Sequence, residues 1–127
     1  MSTYYYLARK DNKSLFELGK GGNWFNNNYS LKSEKIIEHN YEEHFPLKFI
    51  NRIDIENYVV NGLNVDFDNL EEFDLERVKN LSDKIEKFCS YQIVYLLFDV
   101  GDLFFELKRE HGFKEIDSRY CNFEPEI

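Results

Sequence analysis

Tyr91-Gln92-Ile93-Val94-Tyr95-Leu96-Leu97-Phe98-Asp99-Val100-Gly101-Asp102-Leu103-Phe104-Phe105 is the most apolar stretch of the chain. From Ile93 to Phe98 no charged residue interrupts a run of β-branched, aliphatic and aromatic side chains. A half-exposed strand would alternate apolar with polar; an unbroken run predicts a strand buried on both faces. It falls far short of the roughly 20 residues that a helix needs to cross a bilayer, and Asp99 and Asp102 close it. The rest of the chain is expected to pack around this strand.

Upstream lies the clearest helical pattern. Leu75, Val78, Leu81, Ile85 and Phe88 recur at spacings of three and four, which predicts an amphipathic helix from Asp74 to Cys89 with these five side chains inward. Asp74 is its expected N-cap, and Asp83 with Lys87 an i,i+4 pair. Downstream, Asp102 is placed to cap a helix over Leu103 to His111, ended by Gly112, with Phe113 folding back. The rival reading makes Gly101-Asp102 a hairpin turn between two strands. Lys114 to Ser118 reads as a last strand and Glu124 to Ile127 as a frayed tail.

The N-terminal half opens with Thr3 to Arg9, rich in tyrosine, then the turn cluster Asp11-Asn12-Lys13 and the alternating Ser14 to Leu18. Together these predict a β-hairpin. Gly19-Lys20-Gly21-Gly22 ends its second strand, Trp24 and Phe25 tuck beneath, and Asn26-Asn27-Asn28 is a polar loop. Ser33 caps a short helix to about Glu43, with Ile36, Ile37 and Tyr41 inward, stopped by Pro46. Leu47 to Ile50 is a short strand. Asp54 is a second N-cap, followed by the stripe Ile55, Tyr58 and Val59, with Gly62 as the C′ residue. Ile50 to Ile55 reads equally as extended. The expected fold is a single α+β domain over residues 1–127: a mostly antiparallel sheet with an N-terminal hairpin and a buried central strand, packed against two or three helices.

The 127 residues suffice for a core without metal or disulfide support. A net charge of −8 repels nucleic acid and anionic membranes and attracts basic partners, so neither direct nucleic-acid binding nor membrane binding is expected. Cys89 and Cys121 have no motif spacing, and Met1 to Tyr6 carries no signal-peptide pattern, so the chain reads as cytoplasmic with reduced thiols.

Few residues suggest chemistry. His39 and His44 sit among Glu38, Glu42 and Glu43, but on a helix the two histidines point about 140° apart. Only His39 and Glu43 have ligand spacing, and two ligands do not close a metal site; a solvated face is expected, with no metal and no cofactor. Gly19 to Gly22 lacks the spacing of a phosphate loop. Cys89 reads as a buried thiol, and no nucleophile motif accompanies Cys121 or His111.

One feature stands out. Between Ile53 and Glu76 there are eight acids (Asp54, Glu56, Asp66, Asp68, Glu71, Glu72, Asp74 and Glu76) and no lysine or arginine. These eight equal the net charge of the whole molecule. The densest part interleaves acids with Phe67, Leu70 and Phe73. One reading is an acidic loop held by three apolar feet, its carboxylates complementing a helix N-terminus. The other is a docking surface formed by Asp66, Phe67, Asp68, Glu71, Glu72, Phe73, Asp74 and Glu76, with carboxylates steering a basic protein partner and rings anchoring it. In size, acidity, one-domain build and lack of a catalytic motif, the chain resembles in type the immunity partners of bacterial toxins. That resemblance implies direct binding to a basic, often nuclease, toxin and assigns no residue. The alternatives are an acidic decoy, phage- or plasmid-borne, that mimics DNA charge to block a host defence protein, and a small enzyme recognisable only by a deep pocket with converging polar groups.

Overall fold

Tyr4–Arg9 (β1) and Ser14–Lys20 (β2) pair antiparallel as the expected opening hairpin, with a register shift between Tyr5 and Tyr6. The turn is closed locally: the Asn12 N–H donates to Asp11 Oδ1 at 3.0 Å, the Ser14 hydroxyl donates to Asn12 Oδ1, and Lys13 takes the left-handed conformation. The computed structural model describes residues 3–24, 36, 45–65, 68, 71–100 and 102–116. The helix expected over Ser33 to Glu43, the Asn26–Asn28 loop, Ser118 and the tail lie outside them, apart from Ile36, which is buried.

The apolar run is a strand, Val94–Phe98 (β4), hydrogen-bonded on both sides. It runs antiparallel to β1, with Leu7 opposite Leu96, and antiparallel to Pro46–Leu47 (β3). Lys114–Ile116 (β5) pairs parallel with β2, giving one five-stranded sheet in the order β3-β4-β1-β2-β5. The sheet is therefore mostly antiparallel. β3 is shorter than the expected Leu47 to Ile50; Phe49 is buried beyond its end and Ile50 turns out to solvent.

Period-two alternation sorts β4 between two cores. Val94 and Leu96, with Leu7 and Phe16, face Ile55, Tyr58, Val59, Ile85 and Phe88, which belong to the helices Arg52–Leu63 (α1) and Glu72–Cys89 (α2). Tyr95 and Leu97, with Tyr6, Ala8 and Leu15, face Leu103, Phe104 and Leu107 of Asp102–Glu110 (α3) and the side chain of Ile36. Both faces of the strand are closed, as its composition requires. α3 also decides the open reading at Asp102 in favour of a helix. Gly112 follows in the left-handed conformation, and the Phe113 N–H returns to the Leu107 carbonyl at 3.1 Å.

Three local expectations are corrected. α1 is capped by Asn51, not Asp54: Asn51 is extended and its Oδ1 accepts from the Asp54 N–H at 3.0 Å, while Asp54 Oδ2 accepts from the Ile50 N–H at 2.8 Å. Gly62 is not a C′ residue. It lies inside α1, Asn64 takes the left-handed position, and a Cβ on Gly62 would stand 2.1 Å from Trp24 Cε3. The glycine exists to seat the Trp24 ring, which is 1% exposed and packs on Tyr58 with centroids 5.4 Å apart. α2 is the third case, because its start shapes the candidate site.

Candidate functional site

The N-cap of α2 is Glu71, and Asp74 sits three residues in, as the partner in a capping box. Asp74 Oδ2 accepts from the Glu71 N–H at 3.5 Å, and Glu72 and Asp74 lie in the first turn, where the helix dipole favours negative charge. The early start changes what the first turns present. Leu75 and Ser82 are seven residues apart, so they point within about 20° of one another. Yet Ser82 is fully buried and Leu75 is 55% exposed. The core beneath α2 therefore ends between them, and the expected placement of Leu75 on the inner stripe is wrong. Val78, Leu81, Ile85 and Phe88 do pack inward.

The seven acids among the described residues separate into two groups, Asp66 lying outside them. Asp54 and Glu56 work at the start of α1: Asp54 completes its cap, and Glu56 lies 3.3 Å from Arg52. That arginine also reaches Asp83 at 2.7 Å and Glu86 at 2.9 Å, which ties α1 to the far part of α2. The Tyr91 hydroxyl donates to Glu86, and that bond, with some burial and the carboxylate's charge, pushes the phenol up to about 12. Asp83, expected to pair with Lys87, bonds to Arg52 and lies 3.9 Å from Lys79. No pattern of periodicity marks this Arg52 network. Its traces in the sequence are the i,i+4 spacing of Arg52 and Glu56 and the position of Arg52, immediately before the stretch without bases.

The second group sits at the start of α2. Asp68, Glu71, Glu72 and Glu76 are exposed, and Asp74 is half-buried. Glu72 and Glu76 make no ion pair among the described residues. Phe73 is 64% exposed, so it is no foot of a loop in the core. Asp66, Phe67 and Leu70 lie outside the described residues. At 100° per residue, Leu75, Glu72, Glu76 and Phe73 follow one another across an outward arc of about 160°. Two apolar side chains thus bracket two carboxylates on the solvent side of one helix end. The Arg77 guanidinium lies 5.6 Å from the Phe73 ring centroid.

Other groupings offer less. Gly21 donates its N–H to the Thr3 carbonyl at 3.1 Å and Asn23 its N–H to Gly62 at 2.8 Å, so these glycine-loop amides are engaged within the fold. Cys89 is buried, and burial pushes its thiol up, away from nucleophilic use. Cys121, His39 and His44 lie outside the described residues. Among the described residues, Glu106, Glu110 and His111 at the end of α3 bring one ligand atom each within 4.8 Å of one another, a grouping the sequence reading missed. These three are the side chains there able to hold a cation. The spacing of four between the glutamates was its available signal. A wide cleft of about 450 Å³ lies beside Lys10, Asp11, Lys48, Gln92, Ile93 and Tyr95. Its Asp11 carboxylate is held by Arg9, at 2.7 Å from both Nε and Nη2. No helix among the described residues is long and apolar enough to cross a membrane. Comparisons with protein-family models, with curated proteins and with solved structures find no match to this chain.

Proposed function

We propose that this chain is a small acidic protein-binding inhibitor that docks the outward face at the start of α2 on a basic protein, as the immunity partners of bacterial toxins do with their toxins. The observation that carries the reading is the 64% exposure of Phe73 among exposed carboxylates. Capping and the helix dipole account for carboxylates at a helix start, but they do not account for a phenylalanine in solvent. A ring in that position supplies an interface anchor, and the surrounding charge steers a positive surface toward it. The decoy reading asks for carboxylates in two rows at phosphate-like spacing. Here Asp54 and Glu56 are engaged at the beginning of α1, and Glu71, Glu72 and Glu76 lie exposed at the start of α2, so the acids of this segment among the described residues do not form two such rows, which favours the inhibitor reading. For the enzyme reading, the cleft beside Asp11 has one carboxylate among its described lining residues, and Arg9 holds it.

The test uses the partner captured from host lysate or encoded beside this chain. Replacing Asp68, Glu72 and Glu76 with Asn, Gln and Gln lowers the association rate, by a factor that shrinks as salt is added. Phe73→Ala raises the dissociation rate, by about 2 kcal/mol or more if the ring is a hot spot, and leaves folding stability within about 0.5 kcal/mol. Unchanged binding in the triple variant at low salt, with the fold intact, removes this face from the interface.

A further inference from the structure

The Phe73 ring already carries a cation. Arg77 stands over it at 5.6 Å from the centroid, and Arg77 Nη1 lies 3.9 Å from Asp74 Oδ1. Both partners stay largely in solvent, Phe73 at 64% and the Arg77 side chain at 45%. A ring face beside a carboxylate suits a guanidinium, whose flat, weakly hydrated plane can stack on the ring, whereas an ammonium such as that of Lys108 over Phe104 meets it as a compact, strongly hydrated charge. Glu72 and Glu76 extend the negative field beside it, and neither has an ion pair of its own among the described residues. Arg77 is also the first base after the acidic run.

We infer that the Phe73–Asp74 seat is a receptor for an arginine side chain of the protein partner, and that Arg77 occupies it as a placeholder until displaced. This rests on the docking face proposed above and names the chemistry it recognises: an arginine-bearing segment, preferred over a lysine-bearing one of equal charge. Exchange is easy for a physical reason. An exposed cation–π contact between neighbours on a helix is weak, and one guanidinium replaces another, so the ring is never left without a cation. The displaced Arg77 returns to water.

The test needs no identified partner. Hexa-arginine and hexa-lysine peptides are titrated calorimetrically at low salt against the full chain and four variants, with the fold checked by circular dichroism. Arg77→Gln empties the seat, while Lys79→Gln removes an equal charge from the same helix without touching Phe73. The expected result is that Arg77→Gln tightens hexa-arginine binding about 2–5-fold beyond Lys79→Gln, the factor an exposed cation–π contact represents. Hexa-lysine shows a smaller difference, and Phe73→Leu in the Arg77→Gln background abolishes it for both peptides. Equal tightening by Arg77→Gln and Lys79→Gln overturns the seat while leaving the docking face standing. Unchanged binding of both peptides to a Glu72→Gln, Glu76→Gln variant removes the docking face itself, and the seat with it.

Discussion

Gly62→Ala sets two opposed effects against each other. In an ordinary helix interior, replacing glycine by alanine stabilises by about 1 kcal/mol, because alanine loses less backbone freedom. Here the new Cβ would meet Trp24 at 2.1 Å from Cε3 and 2.2 Å from Cζ3. Carbon atoms rest at about 3.5–4.0 Å, so the ring must retreat by more than about 1 Å. Three contacts oppose that retreat. The Trp24 indole N–H donates to the Gly21 carbonyl at 3.0 Å, the Tyr58 ring lies behind it, and the Asn23 N–H is bound to the Gly62 carbonyl at 2.8 Å. Overpacking of this type costs about 1–3 kcal/mol, and moving the segment also loosens hydrogen bonds of about 1 kcal/mol each. The clash outweighs the propensity gain, and a net loss of about 1–3 kcal/mol is expected. Urea denaturation followed by circular dichroism measures it, with Asn61→Ala on the exposed side of α1 as a control that stabilises slightly. In a Trp24→Leu background the penalty of Gly62→Ala should shrink or reverse. A Gly62→Ala protein as stable as the parent would refute the packing argument. So would a penalty unchanged by removing the indole, since that would place the cause in the backbone.

The two faces of β4 make a matched pair of predictions: Leu96→Ala and Leu97→Ala each cost about 2–5 kcal/mol in denaturant unfolding, and a loss below about 1 kcal/mol at either shows that face to be open. Asn51→Ala removes the side-chain acceptor at the start of α1 and should lower stability by about 0.5–2 kcal/mol, whereas unaltered thermal unfolding would return the cap to Asp54. Hydrogen bonds from Arg9 hold the Asp11 carboxyl below its usual range. Its stabilising contribution is therefore complete above about pH 4, where a free aspartate is ionised, and is lost as pH falls through the depressed value. Asp11→Asn should flatten the acid limb of a melting-temperature profile below about pH 4, and an identical limb would show the pair to be too well solvated to matter.

What could be read from the sequence was whatever repeats with a period. The Ile93–Phe98 run, the alternation in Ser14 to Leu18 and the Val78–Phe88 stripe each announce their element because burial imposes the spacing. The same logic overreached at Leu75, because periodicity tells which way a side chain points and not where the core beneath it stops. The caps failed for a different reason. Asn51 with Asp54, and Glu71 with Asp74, place an acceptor at both ends of the first turn, and either residue alone looks like the N-cap. Gly62 was misread because a glycine near the end of an apolar stripe has a local explanation. Its actual cause, the Trp24 ring, comes from a distant part of the chain. The acidic segment was legible as composition, but its division between the start of α1 and the start of α2 depends on how the two helices lie together.

That division bears on which part of the site would do the binding. Charge at the start of α2 is no anomaly for folding: like charges at Glu72 and Glu76 cost a few tenths of a kcal/mol, and the helix dipole returns about 0.3–1 kcal/mol to carboxylates in the first turn. The acids can therefore be accounted for by the helix start alone. The exposure of Phe73 and Leu75 has no such role in starting the helix. Burying apolar surface contributes about 25 cal/mol per Å², and side chains 64% and 55% exposed leave most of that gain unrealised in the free protein. Among the described residues, Arg77 stands over the Phe73 ring and partly compensates for its exposure. A partner that covers both side chains recovers the missing burial, whereas one that meets only the carboxylates recovers none of it. Carboxylate variants would then report how quickly a partner arrives, while Phe73 and Leu75 report whether it stays. A dissociation rate insensitive to both Phe73→Ala and Leu75→Ala would mean that the apolar exposure of this helix end has no part in binding.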